Sequence, residues 1–130
     1  MIVVDASVLA VALGDDATDG RRARQRLVDE ALIAPALIDL EVVSVFRRHV
    51  AAKLMPARRA DGAVSDLADL PLRRSPHGPL LHRIWQLRQV LTPYDAAYVA
   101  LAEALDILLL TADRRLARAP GLKCEVELLR

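Results

Sequence analysis

The sequence predicts an α/β sandwich with a mainly parallel central sheet. Two short segments, IVV at 2–4 and ILLL at 107–110, are apolar at every position, as in strands that are covered on both faces. Segments with helical spacing separate the strand candidates along the chain. Strands that alternate with helices indicate a parallel sheet, because each return to the same edge needs a crossover connection.

The first third of the chain predicts two strands and two helices. The segment IVVD at 2–5 reads as a strand that ends in an acid, and residues 7–13 read as a short helix that ends at Gly14. Apolar residues at helical spacing predict a second helix over 21–32. The segment IAP at 33–35 then predicts a brief strand.

The middle of the chain predicts two helices and a break. Pro35 suits the first turn of a helix that runs to about Leu54, and Pro56 opens another helix that runs to Pro71. The segment RRSPHGP at 73–79 is the clearest break, and it is too short to link two domains.

The last third predicts helices over 80–91 and 94–105, a strand ILLLT at 107–111, a short helix from Arg114 and a final strand VELL at 126–129. No internal repeat interrupts this order. We therefore expect one domain over residues 1–130.

Composition excludes several classes of protein. A net charge of +1 is far from that of a polybasic nucleic-acid binder. The single cysteine, Cys124, excludes an intrachain disulfide and is compatible with the cytoplasm, where we expect the protein to act. The start of the chain lacks a basic segment, and Asp5 interrupts its apolar run, so we do not expect a signal peptide. No apolar stretch approaches the roughly 18 residues of a membrane span.

The segment 92–113, TPYDAAYVALAEALDILLLTAD, carries a carboxylate near each end. A helix from Asp95 to residue 105 covers roughly 16 Å. A strand from residue 107 to Asp113 covers about 20 Å in return. With a tight turn at Asp106 the two lengths nearly cancel. Asp95 and Asp113 should therefore lie at the same edge of the domain.

Two further acids should reach that edge. Asp5 ends another strand of the parallel sheet, and the helix that begins at Pro35 would place Glu41 in its second turn. Ligands of open α/β sheets bind at this edge, outside the carboxyl ends of the strands. Taken alone, Glu41 could be plain solvated surface, since it shares a helical face with Ser44 and Arg48.

Each aspartate also has a structural explanation by itself. Asp5 and Asp113 could cap the helices that follow them, and Asp95 could favour the positive end of its helix. Together these explanations weaken, because two carboxylates ~4 Å apart repel by about 4 kcal/mol at an effective dielectric near 20. An oxygen-only cluster suits a hard cation, Mg²⁺ or Mn²⁺, and nearby helix N-termini would favour a phosphate. This pattern indicates phosphoryl or phosphodiester chemistry.

Four segments resemble the PIN-domain ribonucleases, and more closely the VapC-type toxins of bacterial and archaeal toxin–antitoxin pairs. These segments are MIVVDASVL, PALIDLEVVSVFRR, LTPYDAAYVALAEAL and LLLTADRRL. The resemblance covers nearly the whole chain, and the four segments together are specific, whereas DAS alone is not. It implies a PIN-like three-layer α/β/α sandwich with a mainly parallel sheet of four or five strands.

The resemblance implies four site acids, Asp5, Glu41, Asp95 and Asp113. Ser7 and Thr111 match the small hydroxyl residues that support such a site. Asp39 is a weaker alternative to Glu41, because it lies two residues away and points to another side of the helix. Arg114 and Arg115 could meet the RNA backbone, and an ordinary helix surface explains them equally well.

The resemblance further implies metal-dependent hydrolysis of RNA, leaving a 5′-phosphate and a 3′-hydroxyl. The three aspartates would hold Mg²⁺ or Mn²⁺ directly or through water. Glu41 would bind a second ion or orient the attacking water. The family also implies a homodimer and a VapB-type antitoxin that covers the acidic site.

Aromatic residues for base stacking are few. Tyr94, Tyr98 and Trp85 are the candidates, although Tyr98 and Trp85 are expected in the core or an interface. His77 and His82 are not spaced as metal ligands, and we expect both in a loop or on the surface.

Three other kinds of function can be weighed against the sequence. A phosphatase with an aspartate nucleophile would explain an acid at a strand end, but the haloacid-dehalogenase pattern needs a second acid where Ser7 stands. A receiver domain would need a lysine after a later strand, and ILLLTAD offers none. A non-catalytic module that binds RNA or a partner is the alternative from a different class.

Overall fold

The structure, a computed structural model, describes all residues 1–130. Its strands and helices follow in chain order: β1 (Ile2–Val4), α1 (Ala6–Gly14), α2 (Thr18–Leu27), β2 (Leu32–Pro35), α3 (Ile38–Ala51), α4 (Ala57–Asp69), β3 (Leu72–Ser75), a 3₁₀ turn (Gly78–Leu80), α5 (Leu81–Gln86), α6 (Pro93–Leu105), β4 (Leu109–Thr111), α7 (Arg114–Ala117) and β5 (Val126–Leu128).

The five strands form one parallel sheet in the order β3-β2-β1-β4-β5. Strand β1 is central, since Val3 pairs with Ile33 of β2 and with Leu109 of β4. Helices flank the sheet in the expected three-layer arrangement, so the predicted fold class is confirmed. The apolar runs of β1 and β4 are fully or nearly fully buried, as strands covered on both faces must be.

Helix α6 forms much of the core beside the sheet. Every residue from 96 to 102 is buried, and four of these seven are alanines, which let neighbouring backbones approach closely. The helix ends at Asp106, whose left-handed φ of 53° turns the chain back into β4 as the tight-turn prediction required. This return brings the end of β4 to the edge where α6 begins.

Several boundaries in the first half differ from the predictions, among them the end of α3 at Ala51 rather than about Leu54. Helix α2 ends at Leu27 rather than at 32, because the chain turns through Asp29, which has a φ of 63°. Val28, one of the apolar residues that gave this segment its helical spacing, lies beyond the helix and is 63% exposed. Pro35 closes β2 instead of opening a helix, and the ladder continues past it because the Ala36 N–H donates to the Ser75 carbonyl.

Strand β3 was not predicted, because residues 73–75 were assigned to the break at 73–79. It is the edge strand, and edge positions tolerate polar side chains that face solvent. Helix α5 ends at Gln86 rather than at residue 91. The Leu87 N–H donates to the Arg83 and Ile84 carbonyls, and the second of these bonds tightens the last turn. No helix is long and apolar enough to cross a membrane.

Candidate active site

One cavity of about 310 Å³ lies at the carboxyl edge of the sheet, and the four predicted acids line it together: Asp5, Glu41, Asp95 and Asp113. Asp5 follows β1 and Asp113 follows the neighbouring strand β4. Glu41 lies in the first turn of α3, not the second, since that helix begins at Ile38. Asp95 lies in the first turn of α6. The fold therefore brings the four side chains to one place, as their positions in the sequence predicted.

Asp5 is the most buried of the four, with 6% of its surface exposed. Its Oδ2 accepts hydrogen bonds from Ser7 Oγ at 2.6 Å and from Thr111 Oγ1 at 2.7 Å. Although Asp5 occupies the N-cap position of α1, its side chain makes no capping bond, so the capping explanation fails here. Burial raises the pKa of Asp5, against the lowering effect of the two hydroxyl donors, and the charge of Asp113 raises it further.

The two hydroxyl residues also join the ends of β1 and β4. Thr111 Oγ1 accepts from the Asp113 N–H at 3.0 Å, and Ser7 Oγ accepts from the Ala112 N–H at 3.0 Å. The Asp5 N–H donates to the Leu110 carbonyl across the same pair of strands. Both hydroxyls contact Asp5, in the place where the family resemblance implied supporting residues. Their bonds restrict Asp5 to one orientation beside Asp113.

Glu41 is held by a tyrosine from a different helix. Its Oε1 accepts a hydrogen bond from the Tyr98 hydroxyl at 2.6 Å. Burial raises the pKa of Glu41, as do the charges of Asp5 and Asp95, while the bond from Tyr98 lowers it. Burial and Glu41 together also raise the pKa of Tyr98, so the phenol stays protonated as a donor.

The prediction that Tyr98 belongs to the core is correct, because the residue is fully buried. The bond to Glu41 was missed. A signal for it exists, since Tyr98 lies three residues after Asp95 and therefore on the same face of α6. Trp85, which was expected in the core or an interface, does not lie in the core: it is 66% exposed, and the Arg88 guanidinium lies 4.5 Å from its ring centre.

Asp95 and Asp113 differ in whether their side chains cap a helix. Helix α6 is capped by Thr92, which the sequence reasoning did not single out and which accepts from the Asp95 N–H at 3.2 Å. The Asp95 carboxylate is therefore not the N-cap of this helix. Its pKa is raised by burial and then by the charges of Asp5 and Asp113. Asp113 does cap a helix, because its Oδ1 accepts from the Arg115 N–H at 2.9 Å.

The arginines that follow Asp113 are exposed, and neither Arg114 nor Arg115 lines the cavity. The Arg115 guanidinium lies 3.7 Å from Asp113 Oδ2. Their contact with RNA stays a prediction, as does their assignment to ordinary surface.

Asp39 forms an ion pair away from the lining of the cavity. Its two carboxylate oxygens accept from the Arg74 guanidinium at 3.0 and 3.1 Å, and it does not line the cavity that Glu41 lines. Glu41 is therefore the acid of α3 that faces Asp5 and Asp95.

His77 lies in a loop, as expected, but it also supports α3. Its Nε2 accepts a hydrogen bond from the Leu37 N–H at 3.0 Å, and the Leu37 carbonyl accepts from the Glu41 N–H at 3.1 Å. His77 thus joins the loop after β3 to the helical turn that carries Glu41. The sequence gives no signal for this contact, because it spans 40 residues.

The donor set fits a hard divalent cation by its chemistry. All four acids offer oxygen atoms, and the pKa of three of them is raised by burial first and then by repulsion from the neighbouring acids. No three acidic, histidine or cysteine side chains already converge as metal ligands around one point. The fit therefore rests on the oxygen donors and on the repulsion that a cation would relieve.

Comparison with known proteins gives one consistent result. Residues 2–122 match the PIN domain family. Ribonuclease VapC1 of Mycobacterium tuberculosis is 44% identical over 129 residues, which cover 98% of this chain and 97% of that protein. Ribonuclease VapC12 of the same organism is 41% identical over 129 residues, with 99% of both chains covered.

Solved structures share the fold at low sequence identity. The DNA-bound VapBC complex of Salmonella typhimurium has a TM-score of 0.70 at 14% identity, covering 99% of this chain and 98% of that one. VapC20 of M. tuberculosis, a Sarcin-Ricin loop cleaving toxin, has a TM-score of 0.66 at 14% identity, covering 84% and 87%.

Proposed function

Since the chain belongs to the PIN-domain family, among its VapC ribonucleases, we propose that it is a metal-dependent endoribonuclease toxin that hydrolyses phosphodiester bonds of RNA. The observation that carries this proposal is the cavity that four carboxylates from two strand ends and two helix N-termini line together. Residues 1–130 act as one PIN domain in this proposal.

The cofactor is Mg²⁺ or Mn²⁺, held by Asp5, Asp95 and Asp113 directly or through water. When bound, the ion supplies positive charge that polarises the phosphate and stabilises the leaving oxygen. The buried, doubly hydrogen-bonded Asp5 fixes the position of the donor set, because its orientation cannot change without loss of the bonds from Ser7 and Thr111.

Glu41 orients the attacking water in this mechanism, and it is suited to accept a proton. Burial and the neighbouring acids raise its pKa, which makes the carboxylate a stronger base than one on the surface. The Tyr98 hydroxyl occupies Oε1 and leaves Oε2 of Glu41 for the water.

The proposed partners are RNA as substrate, a second copy of the chain, and a VapB-type antitoxin that covers the acidic cavity. Support for the antitoxin comes from the family, since the Salmonella typhimurium neighbour and a second one from Rickettsia felis are VapBC complexes. The proposed site of action is the cytoplasm, where the RNA substrate is found.

The test is cleavage of a total RNA pool by purified protein freed of antitoxin, with Mg²⁺, with Mn²⁺ and with EDTA. Discrete cleavage should require metal and should be lost in Asp95→Asn. Asp39→Asn is the matched control, because it makes the same chemical change on an acid outside the cavity. Absence of cleavage by the folded wild-type protein with every metal would favour a non-catalytic binding module instead.

A further inference from the structure

The acidic cavity contains a single basic side chain. Of its nine lining residues, four are carboxylates and one is Arg48. Arg48 lies on α3 seven residues after Glu41, about two helical turns along the same face. Ser44 and Val45 line the cavity between them.

Arg48 makes no ion pair with the acids beside it. Its Nη1 donates to Ser44 Oγ at 3.0 Å. By contrast, five other arginines form ion pairs with carboxylates: Arg26, Arg59, Arg74, Arg83 and Arg115. The Arg48 side chain is exposed, so its charge remains available to a ligand that enters the cavity.

We propose that Arg48 binds a backbone phosphate of the substrate RNA that flanks the scissile one. This inference rests on the proposed ribonuclease function. An RNA strand that approaches four carboxylates is repelled, and a guanidinium at the rim offsets this repulsion with a charge-assisted hydrogen bond. Glu41 and Arg48 lie about 10 Å apart along the helix axis, so Arg48 contacts a neighbouring phosphate rather than the reacting one.

The Ser44 bond gives this contact its direction. Ser44 lies one turn before Arg48, its Oγ accepts from one guanidinium nitrogen, and both residues line the cavity. A contact to phosphate carries no sequence information, so Arg48 strengthens binding to all RNA strands and does not select the cut site.

Binding can be measured apart from chemistry in the Asp95→Asn background with EDTA present. Fluorescence anisotropy of a short, fluorescein-labelled single-stranded RNA would be recorded over a range of KCl concentrations. Adding Arg48→Ala should raise the Kd about tenfold. The slope of log Kd against log salt should fall by about 0.7, as for one lost phosphate contact on a single strand.

Arg47→Ala is the matched control, because Arg47 is adjacent and exposed but does not line the cavity. It removes the same charge and should change the Kd less than twofold. In the active protein, Arg48→Ala should raise KM about tenfold while kcat stays within twofold, and Arg48→Lys should recover part of the affinity.

Equal losses of RNA affinity in the Arg47 and Arg48 variants would show that only the net charge of the protein matters. That result would overturn the proposal. A fall in kcat with an unchanged KM would also overturn it, as would failure of the Asp95→Asn parent to bind the labelled RNA. Arg48-dependent binding without cleavage by the wild-type protein would support the contact and reject the nuclease function. RNA cleavage by the wild-type protein that does not change in the Arg48 variants would support the nuclease function and reject the contact.

Discussion

The Tyr98 hydroxyl donates to Glu41 Oε1 at 2.6 Å, and this bond joins α6 to the first turn of α3 across 57 residues of sequence. The tyrosine ring is fully buried, whereas Glu41 is half-buried at the cavity. A rigid core residue thus holds a carboxylate that faces solvent. Because burial and Glu41 keep the phenol protonated, the bond persists over the whole neutral range of pH.

Tyr98→Phe should lower kcat about tenfold and leave KM within twofold. The phenylalanine preserves the core, but Glu41 loses the hydroxyl donor that, in the proposed mechanism, fixes its orientation toward the attacking water. The free energy of unfolding should fall by only about 1 kcal/mol, because water can reach the released carboxylate oxygen. Steady-state RNA cleavage and denaturant unfolding would measure the two effects. Full activity in Tyr98→Phe would remove the tyrosine from the mechanism.

Thr111→Val should destabilise the protein by about 1–3 kcal/mol and reduce cleavage sharply. Valine matches the shape of threonine, but the change removes a donor to Asp5 Oδ2 and the acceptor of the Asp113 N–H in a fully buried position. Thr111→Ser keeps the hydroxyl and should recover most of the activity. Thermal melts and cleavage rates of the two variants measure the losses of stability and of activity. Equal losses in both would contradict a role of the hydroxyl, because Thr111→Ser keeps it.

The sequence predicts the site better than it predicts the helix boundaries. Asp5 and Asp113 could be placed because buried parallel strands are apolar throughout, and an acid that follows such a strand must lie at its carboxyl edge. Glu41 was assigned to the second turn of its helix and lies in the first. It still reaches the cavity, because either turn lies at the same end of α3.

Contacts between distant segments could not be predicted. The edge strand β3 carries Arg73 and Arg74, and one free side lets such a strand be polar, so its pattern resembles a loop. The bond from Leu37 to His77 depends on where β3 lies beside β2. Because β3 was not predicted, no contact of His77 with another segment could be predicted either.

Asp95→Asn should raise the melting temperature of the metal-free protein at pH 7. Burial and the charges of Asp5 and Asp113 raise the pKa of Asp95 in the folded state above its ordinary value. The folded protein therefore holds this proton at pH values where the unfolded chain has lost it, and stability falls as pH rises through that interval. The amide removes this penalty. Because solvent screens a half-exposed carboxylate, the gain should be modest, about 2–4 °C.

The gain should shrink as the pH falls toward about 4, the ordinary pKa of an aspartate, because the raised pKa lets folded Asp95 take up its proton before the unfolded chain does. Calorimetry in EDTA at both pH values measures it. Asp39→Asn serves as the control, since Asp39 is paired with Arg74 and should lose stability rather than gain it. A lower melting temperature for Asp95→Asn at pH 7 would contradict the repulsion among the acids.

Mg²⁺ should raise the melting temperature of the wild-type protein more than that of Asp95→Asn. A ligand that binds only the folded state stabilises it by RT ln(1 + [L]/Kd), which is about 2.7 kcal/mol at one hundred times the Kd. Loss of one donor weakens binding, and loss of one charge also reduces the repulsion that the cation relieves. Melts over a series of Mg²⁺ concentrations give both curves. Equal shifts in the two proteins would place Asp95 outside the metal site.

His77→Ala should lower both stability and kcat through the first turn of α3. The substitution leaves the Leu37 N–H without its acceptor, which costs about 1 kcal/mol at a helix N-terminus. The Leu37 carbonyl accepts from the Glu41 N–H, so fraying of this turn displaces Glu41 from the Tyr98 hydroxyl. His77→Gln offers another acceptor and should recover part of the activity. His82→Ala, on an exposed histidine of α5, is the matched control and should change neither quantity. If His77→Ala loses stability but keeps its full kcat, the contact supports α3 without positioning Glu41.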